Sequence, residues 1–120
     1  MQNISPKVQN QINMLQQMQQ QMQTILSQKS QYELAAQEAR KAVEELNETD
    51  DSAAVYMNVG TVVMQKPKSE VISKVSEKIE TLEIRIRSID KQEKMLQEKF
   101  EKLQSQVRSE IEGRKSPDAN

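Results

Sequence analysis

The sequence predicts a mainly α chain: an antiparallel two-helix coiled coil with a β-hairpin between the helices, forming one domain over residues 1–120. Three observations carry this. Apolar residues recur at intervals of three and four in two long stretches, and one short β-branched segment around a lone glycine separates them. In addition, only 35% of the 120 residues are hydrophobic and 2% aromatic, too little for a layered globular core. What remains is a thin seam between long helices.

Helix one is expected over residues 6–46. Ser5 is a favourable N-cap and Pro6 suits the first helical position, and nothing breaks the pattern before the run NETDDS at residues 47–52. With position a at Val8, Leu15, Met22, Lys29, Ala36 and Val43, position d falls on Gln11, Met18, Ile25, Tyr32, Ala39 and Leu46. Only Gln11 and Lys29 interrupt an apolar seam that is well past the three or four heptads a coiled coil needs.

Residues 53–66 change character, with AVYMNVGTVVMQK rich in β-branched residues around Gly60; this is the strand signal. A type II′ turn at Gly60-Thr61 pairs Val59 with Val62 and Met57 with Met64. Val55, Met57, Val59, Val62 and Met64 then share one face, and Tyr56, Asn58 and Val63 the other. A turn at Val59-Gly60 shifts the pairs but keeps Val55, Met57, Val62 and Met64 together. A lone two-stranded hairpin is barely stable in water, and the helices cover their apolar stripes against each other. Either other copies or a related subunit add strands to form a larger sheet or barrel, or the hairpin folds back on its own helices.

Helix two is expected over residues 67–112, with Gly113 as its stop and 113–120 as a flexible tail. Its a positions are Ile72, Ile79, Ile86, Glu93, Phe100 and Val107, and its d positions Val75, Leu82, Ile89, Leu96, Leu103 and Glu110. At 1.5 Å per residue each helix would be roughly 60–70 Å long. The short hairpin forces an antiparallel pair in which Leu46 faces Ile72, Val43 faces Val75 and Ala39 faces Ile79. Lys29 and Glu93 then fall in adjacent layers and are expected to meet and help fix the register; the alternative is that both reach out to solvent. A double-mutant cycle decides between them, because absence of coupling removes the first reading.

The start of helix one is unusual, since residues 8–28 carry no charge in a chain otherwise dense in Lys and Glu. Val8, Leu15, Met18, Met22 and Ile25 occupy the seam. Ile12 and Leu26 fall at e and Met14 at g, flanking positions that usually carry charge, and Met1 and Ile4 extend the apolar line. Phe100, Leu103, Val107 and Ile111 of helix two reach the same end. The surplus suits a surface for varied apolar partners, Met being flexible and polarizable, or it is only the helix-forming tendency of Met and Gln.

Composition excludes much else. A formal charge of −1 gives no electrostatic reason to expect nucleic acid as a partner. The chain has no Cys, which fits a reducing compartment, and no His; the commonest zinc ligands and the usual nucleophile–base pairs are therefore missing. Two glycines cannot form a phosphate-cradling loop. No basic, apolar leader and no stretch of about 18 apolar residues is present. The expectation is a cytoplasmic protein that is no enzyme, needs no cofactor and binds no membrane.

Three segments together carry a resemblance that spans essentially the whole length: the opening MQNISPKVQNQINMLQQMQQQMQ, the hairpin VYMNVGTVVMQK after the acidic ETDDS loop, and EKIETLEIRIRSIDKQEKMLQEKFEKLQ in helix two. In order and spacing they resemble the prefoldin family, in particular its archaeal β subunits. Lys commonly follows Val-Tyr in the family's hairpin, and Met57 departs from that pattern.

The resemblance implies a hexamer of two α and four β subunits, whose hairpins build a double β-barrel platform bearing six coiled coils. Val55, Tyr56, Met57, Val59, Val62, Val63 and Met64 would be the platform residues. It further implies ATP-independent holding of unfolded polypeptides at the coiled-coil tips and their delivery to a group II chaperonin. Here the tip corresponds to Met1, Ile4, Val8, Ile12, Met14, Leu15 and Met18 with Phe100, Leu103, Val107 and Ile111. From the residues alone, a structural coiled-coil adaptor for one defined partner is the other reading, because it too needs an apolar helix end.

Overall fold

The computed structural model describes residues 4–115, in the order α1 (Pro6–Glu48), β1 (Tyr56–Val59), β2 (Val62–Gln65) and α2 (Lys68–Lys115). The start of α1 is fixed by Ser5: its Oγ accepts from the Val8 N–H at 3.1 Å and its carbonyl from the Gln9 N–H at 2.9 Å. Such an N-cap contributes about 1 kcal/mol.

The end of α1 borrows its cation from another element. Its last turn holds no basic residue, but Lys68 in the first turn of α2 donates from Nζ to the Thr49 carbonyl at 2.8 Å and pairs with Asp51 at 3.0 Å. Positive charge favours a helix C-terminus and disfavours an N-terminus. Asp51, and Glu70 in the first turn of α2, offset the second effect. The intervening loop is closed by Asp50, whose Oδ1 accepts from the Ser52 N–H at 3.0 Å and the Ser52 hydroxyl at 3.1 Å.

The hairpin adopts the first of the two registers considered: Met57 pairs with Met64, Asn58 with Val63, Val59 with Val62, and Tyr56 with Gln65. Gly60 has φ 63°, and among the described residues no non-glycine residue has positive φ. Thr61 therefore cannot complete a type I′ turn, which needs positive φ at both central residues, and type II′ remains.

The chain forms two compact units, residues 29–88 and residues 4–28 with 89–115. In the first, the Arg85 guanidinium lies 5.8 Å from the Tyr32 ring centroid, and Arg40 pairs with Glu83 at 3.5 Å. Rising numbers on α1 thus meet falling numbers on α2, as an antiparallel pair requires. Ala36, Ala39, Val71 and Leu82 are buried here. Ala36 is 0% exposed, and its small side chain at a lets the helices approach closely. The Arg40–Glu83 pair is exposed and contributes about 0–1 kcal/mol, so apolar burial, not this ion pair, holds the unit.

In the second unit Lys7 pairs with Glu110 at 2.8 Å, which sets the start of α1 beside the end of α2. Val8, Ile89 and Val107 are buried, and the remaining a and d positions of this unit are half-buried. One expectation needs correction: α2 does not stop at Gly113 but continues to Lys115. A glycine terminates a helix through a left-handed conformation, and Gly113 does not have one. It lowers helix stability locally by about 1 kcal/mol without breaking the helix. The rest of the expected tail, residues 116–120, lies outside the described residues.

Candidate functional site

Two surfaces expose large apolar side chains in clusters, and each arises from a different local rule. On the hairpin, strand alternation sends cross-strand partners to a common face. Val59, Val62 and Met64 are exposed on one face, with Val55 and Met57 half-buried. On the other face Tyr56 and Val63 are exposed, Val63 by 64%. The hairpin therefore does not fold back on its own helices, since such packing would have buried one of these faces. All seven expected platform residues lie in this one element, and most are open to solvent.

The other surface lies in the unit of residues 4–28 and 89–115. Ile4 and Met14 are exposed, each by 48%. Ile12, Leu15, Met18, Phe100, Leu103 and Ile111 are half-buried. Val8 and Val107 differ, being 1% and 7% exposed. They close the seam between the helices and are shielded from a partner while it is closed. Met1 lies outside the described residues.

Two shallow grooves flank this seam. One, of about 460 Å³, is lined by Lys7, Gln11, Ser105, Gln106, Ser109 and Glu110. The other, of about 470 Å³, is lined by Gln17, Gln20, Gln21, Thr24 and Ile25. The latter residues recur at i, i+3, i+4, i+7 and i+8, so they form one stripe along α1.

Sequence reasoning missed three exposed apolar residues, Leu34, Ile84 and Met95. Leu34 and Ile84 occupy f and Met95 occupies c, the outward positions of the heptad; a large aliphatic at f was the available signal. Isolated exposed apolar residues are common on protein surfaces. Among the described residues there is no cluster of acidic, His or Cys side chains able to hold a metal ion, and no helix long and apolar enough to cross a membrane.

Known proteins show the same arrangement. A family model described as prefoldin subunit matches residues 9–114. The prefoldin subunit beta of Methanospirillum hungatei JF-1 is 96% identical over 120 residues, covering all of both chains. That of Methanoculleus marisnigri is 59% identical over 117 residues, 98% of this chain and 97% of its own. The crystal structure of the prefoldin beta subunit from Thermococcus strain KS-1 superposes with a TM-score of 0.85 at 41% identity, covering 91% of this chain and 96% of that one. Two long helices joined by an exposed apolar hairpin, matched over nearly the whole length in sequence and in structure, show that the chain belongs to the prefoldin family of chaperone subunits, as a subunit of the β type.

Proposed function

We propose that this chain is a subunit of an ATP-independent holdase, which captures unfolded or nascent polypeptides at the ends of its coiled coils and delivers them to a group II chaperonin. Membership of the family implies a chaperone-type role and assembly with other prefoldin subunits. The proposal adds the stoichiometry of two α and four β subunits, the platform built from hairpins, and the capture of clients in the cytoplasm.

The observation that carries it is the accessible apolar surface around Ile4, Ile12, Met14, Met18, Phe100 and Ile111, beside a seam that Val8 and Val107 already close. Several such weak patches on separate arms of one complex sum by multivalency, while each contact stays reversible. ATP independence accords with a chain whose two glycines cannot cradle a phosphate.

Light scattering of a denatured client, diluted without ATP into the co-assembled complex, tests the proposal. A second complex lacks residues 1–18 and 100–120, and native mass must show that both keep their subunit number. Suppression of scattering by the full complex but not by the trimmed one is expected. If neither suppresses it, the holdase reading fails and a structural coiled-coil adaptor for one defined partner becomes the better account.

A further inference from the structure

The stripe of Gln17, Gln20, Gln21 and Thr24 is not explained by apolar capture. It belongs to residues 8–28, which carry no charge, whereas Lys and Glu recur throughout α2. Solubility alone would be served as well by charged residues at these outward positions. Gln17, Gln20 and Gln21 are exposed, and among the described residues none bonds to their carboxamides. Thr24 is different, since its hydroxyl donates to the Gln20 carbonyl at 3.1 Å and is satisfied within the helix. The groove they line with Ile25 measures about 470 Å³. One turn further toward the N-terminus on the same face stands the exposed Met14.

A carboxamide presents both a donor and an acceptor, the same pair a peptide group presents. An unfolded chain differs from a folded one in offering its peptide groups unpaired, whatever its side chains. The uncharged stripe has no Coulombic preference between acidic and basic segments, whereas a row of Glu or Lys would select one sign.

We infer that the carboxamide stripe of α1 is an accessory subsite for the main chain of a captured unfolded polypeptide, and that its neutrality makes capture indifferent to the client's net charge. The inference deepens the holdase reading and rests on it. Met14 and its apolar neighbours hold side chains, and the stripe holds the peptide backbone running past them.

The test uses the co-assembled complex and two chemically denatured model clients, matched in length and apolar content but opposite in net charge. Dissociation constants are read by fluorescence anisotropy at low and high salt. The unaltered complex is expected to bind both clients within about twofold of each other, with little effect of salt.

Replacing Gln17, Gln20 and Gln21 together by Glu should weaken the acidic client relative to the basic one by roughly tenfold, each exposed charge contributing about twofold. Replacement by Lys should reverse the preference, and salt should erase both. Gln→Ala at the three sites should weaken both clients equally. All three residue types are good helix formers, so native mass and helicity should hold.

Charged variants that still capture both clients equally would overturn the inference while leaving the holdase reading intact, as would an alanine variant that binds like the unaltered complex. An unaltered complex that already discriminates by charge overturns it too. Failure of the unaltered complex to bind either client removes the holdase reading itself, and the inference with it.

Discussion

The hairpin and the terminal unit both expose apolar side chains, but they do so with different chemistry. Of the hairpin's exposed apolar residues three are β-branched and stiff at χ1, Val59, Val62 and Val63, beside Tyr56 and a single Met, Met64, all held on strands joined by a type II′ turn. The terminal unit exposes Met14, with three rotatable bonds, next to uncharged carboxamides. Stiff side chains on paired strands retain one shape and suit a partner of fixed geometry. Flexible ones adapt, at the cost of lower affinity for any single partner. Under the proposed function, side-chain stiffness and backbone context would direct the same hydrophobic driving force to one kind of partner at the hairpin and to many at the helix ends.

The strongest way to break the comparison is to charge the hairpin. Val62→Asp places a carboxylate where the proposed platform would bury it, which should weaken assembly by about 2–4 kcal/mol. Native mass should report free subunits, while circular dichroism of the variant keeps its helix content. If the oligomer survives unchanged, the hairpin is not the assembly surface. A milder form alters only the turn. At Gly60 an added Cβ would meet nothing within 4 Å, so Gly60→Ala carries only the conformational cost of φ 63°, about 1–2 kcal/mol. Assembly should weaken without any new steric contact, and Gly60→Asn should recover part of the loss.

The heptad made most of the fold legible. Every a and d position of both helices is buried or half-buried, including Gln11, Lys29, Glu93 and Glu110, because two helices with nothing else to pack against must shield these two positions. The apolar face of the hairpin was legible in either register, but the register itself was not, because glycine can take either central position of a two-residue turn. Nor was Val71, although it is only 6% exposed. It sits at g in the first turn of α2, next to Lys68, which is bonded to Thr49 and Asp51; the chain reversal adds shielding that a helix-only pattern omits. Gly113 misled because composition signals a helix end only when the residue takes positive φ. At the terminal end the division between seam and accessible surface followed the heptad as well: Val8 at a is 1% exposed and Met14 at the flanking g position 48%, although both are equally apolar in composition.

That division gives the next prediction. Met14→Glu charges an exposed position while the seam residue Val8 is untouched, so the oligomer and its melting temperature should hold. Client capture, read by anisotropy with a denatured probe, should weaken by about fivefold, the loss of roughly 1 kcal/mol of apolar contact. The matched change at the seam, Val8→Glu, should instead lower stability. Equal effects of both on melting temperature would mean that Met14 belongs to the seam, and that the two surfaces of this unit are not distinct.

The smallest effect concerns the loop that joins α1 to the hairpin. The Ser52 N–H bonded to Asp50 holds its carboxyl below the ordinary carboxylate value, with the Ser52 hydroxyl and the Lys68 charge acting in the same direction. A carboxyl whose pKa is depressed on folding contributes stability that is present above its ordinary value, near 3.9, and lost as pH falls through the depressed one. The loop should therefore loosen only in acid below that ordinary value, and Asp50→Asn should flatten this part of the pH dependence. The carboxylate is fully exposed, so the change should appear in hydrogen exchange at the Ser52 and Ala53 amides, both of which donate to Asp50, with little movement of global unfolding. Exchange at those amides that does not respond to acid in the unaltered chain would show that the turn is held by the Ala53 bond to the Asp50 carbonyl at 3.0 Å. The carboxylate would then be incidental to how the hairpin is joined to α1.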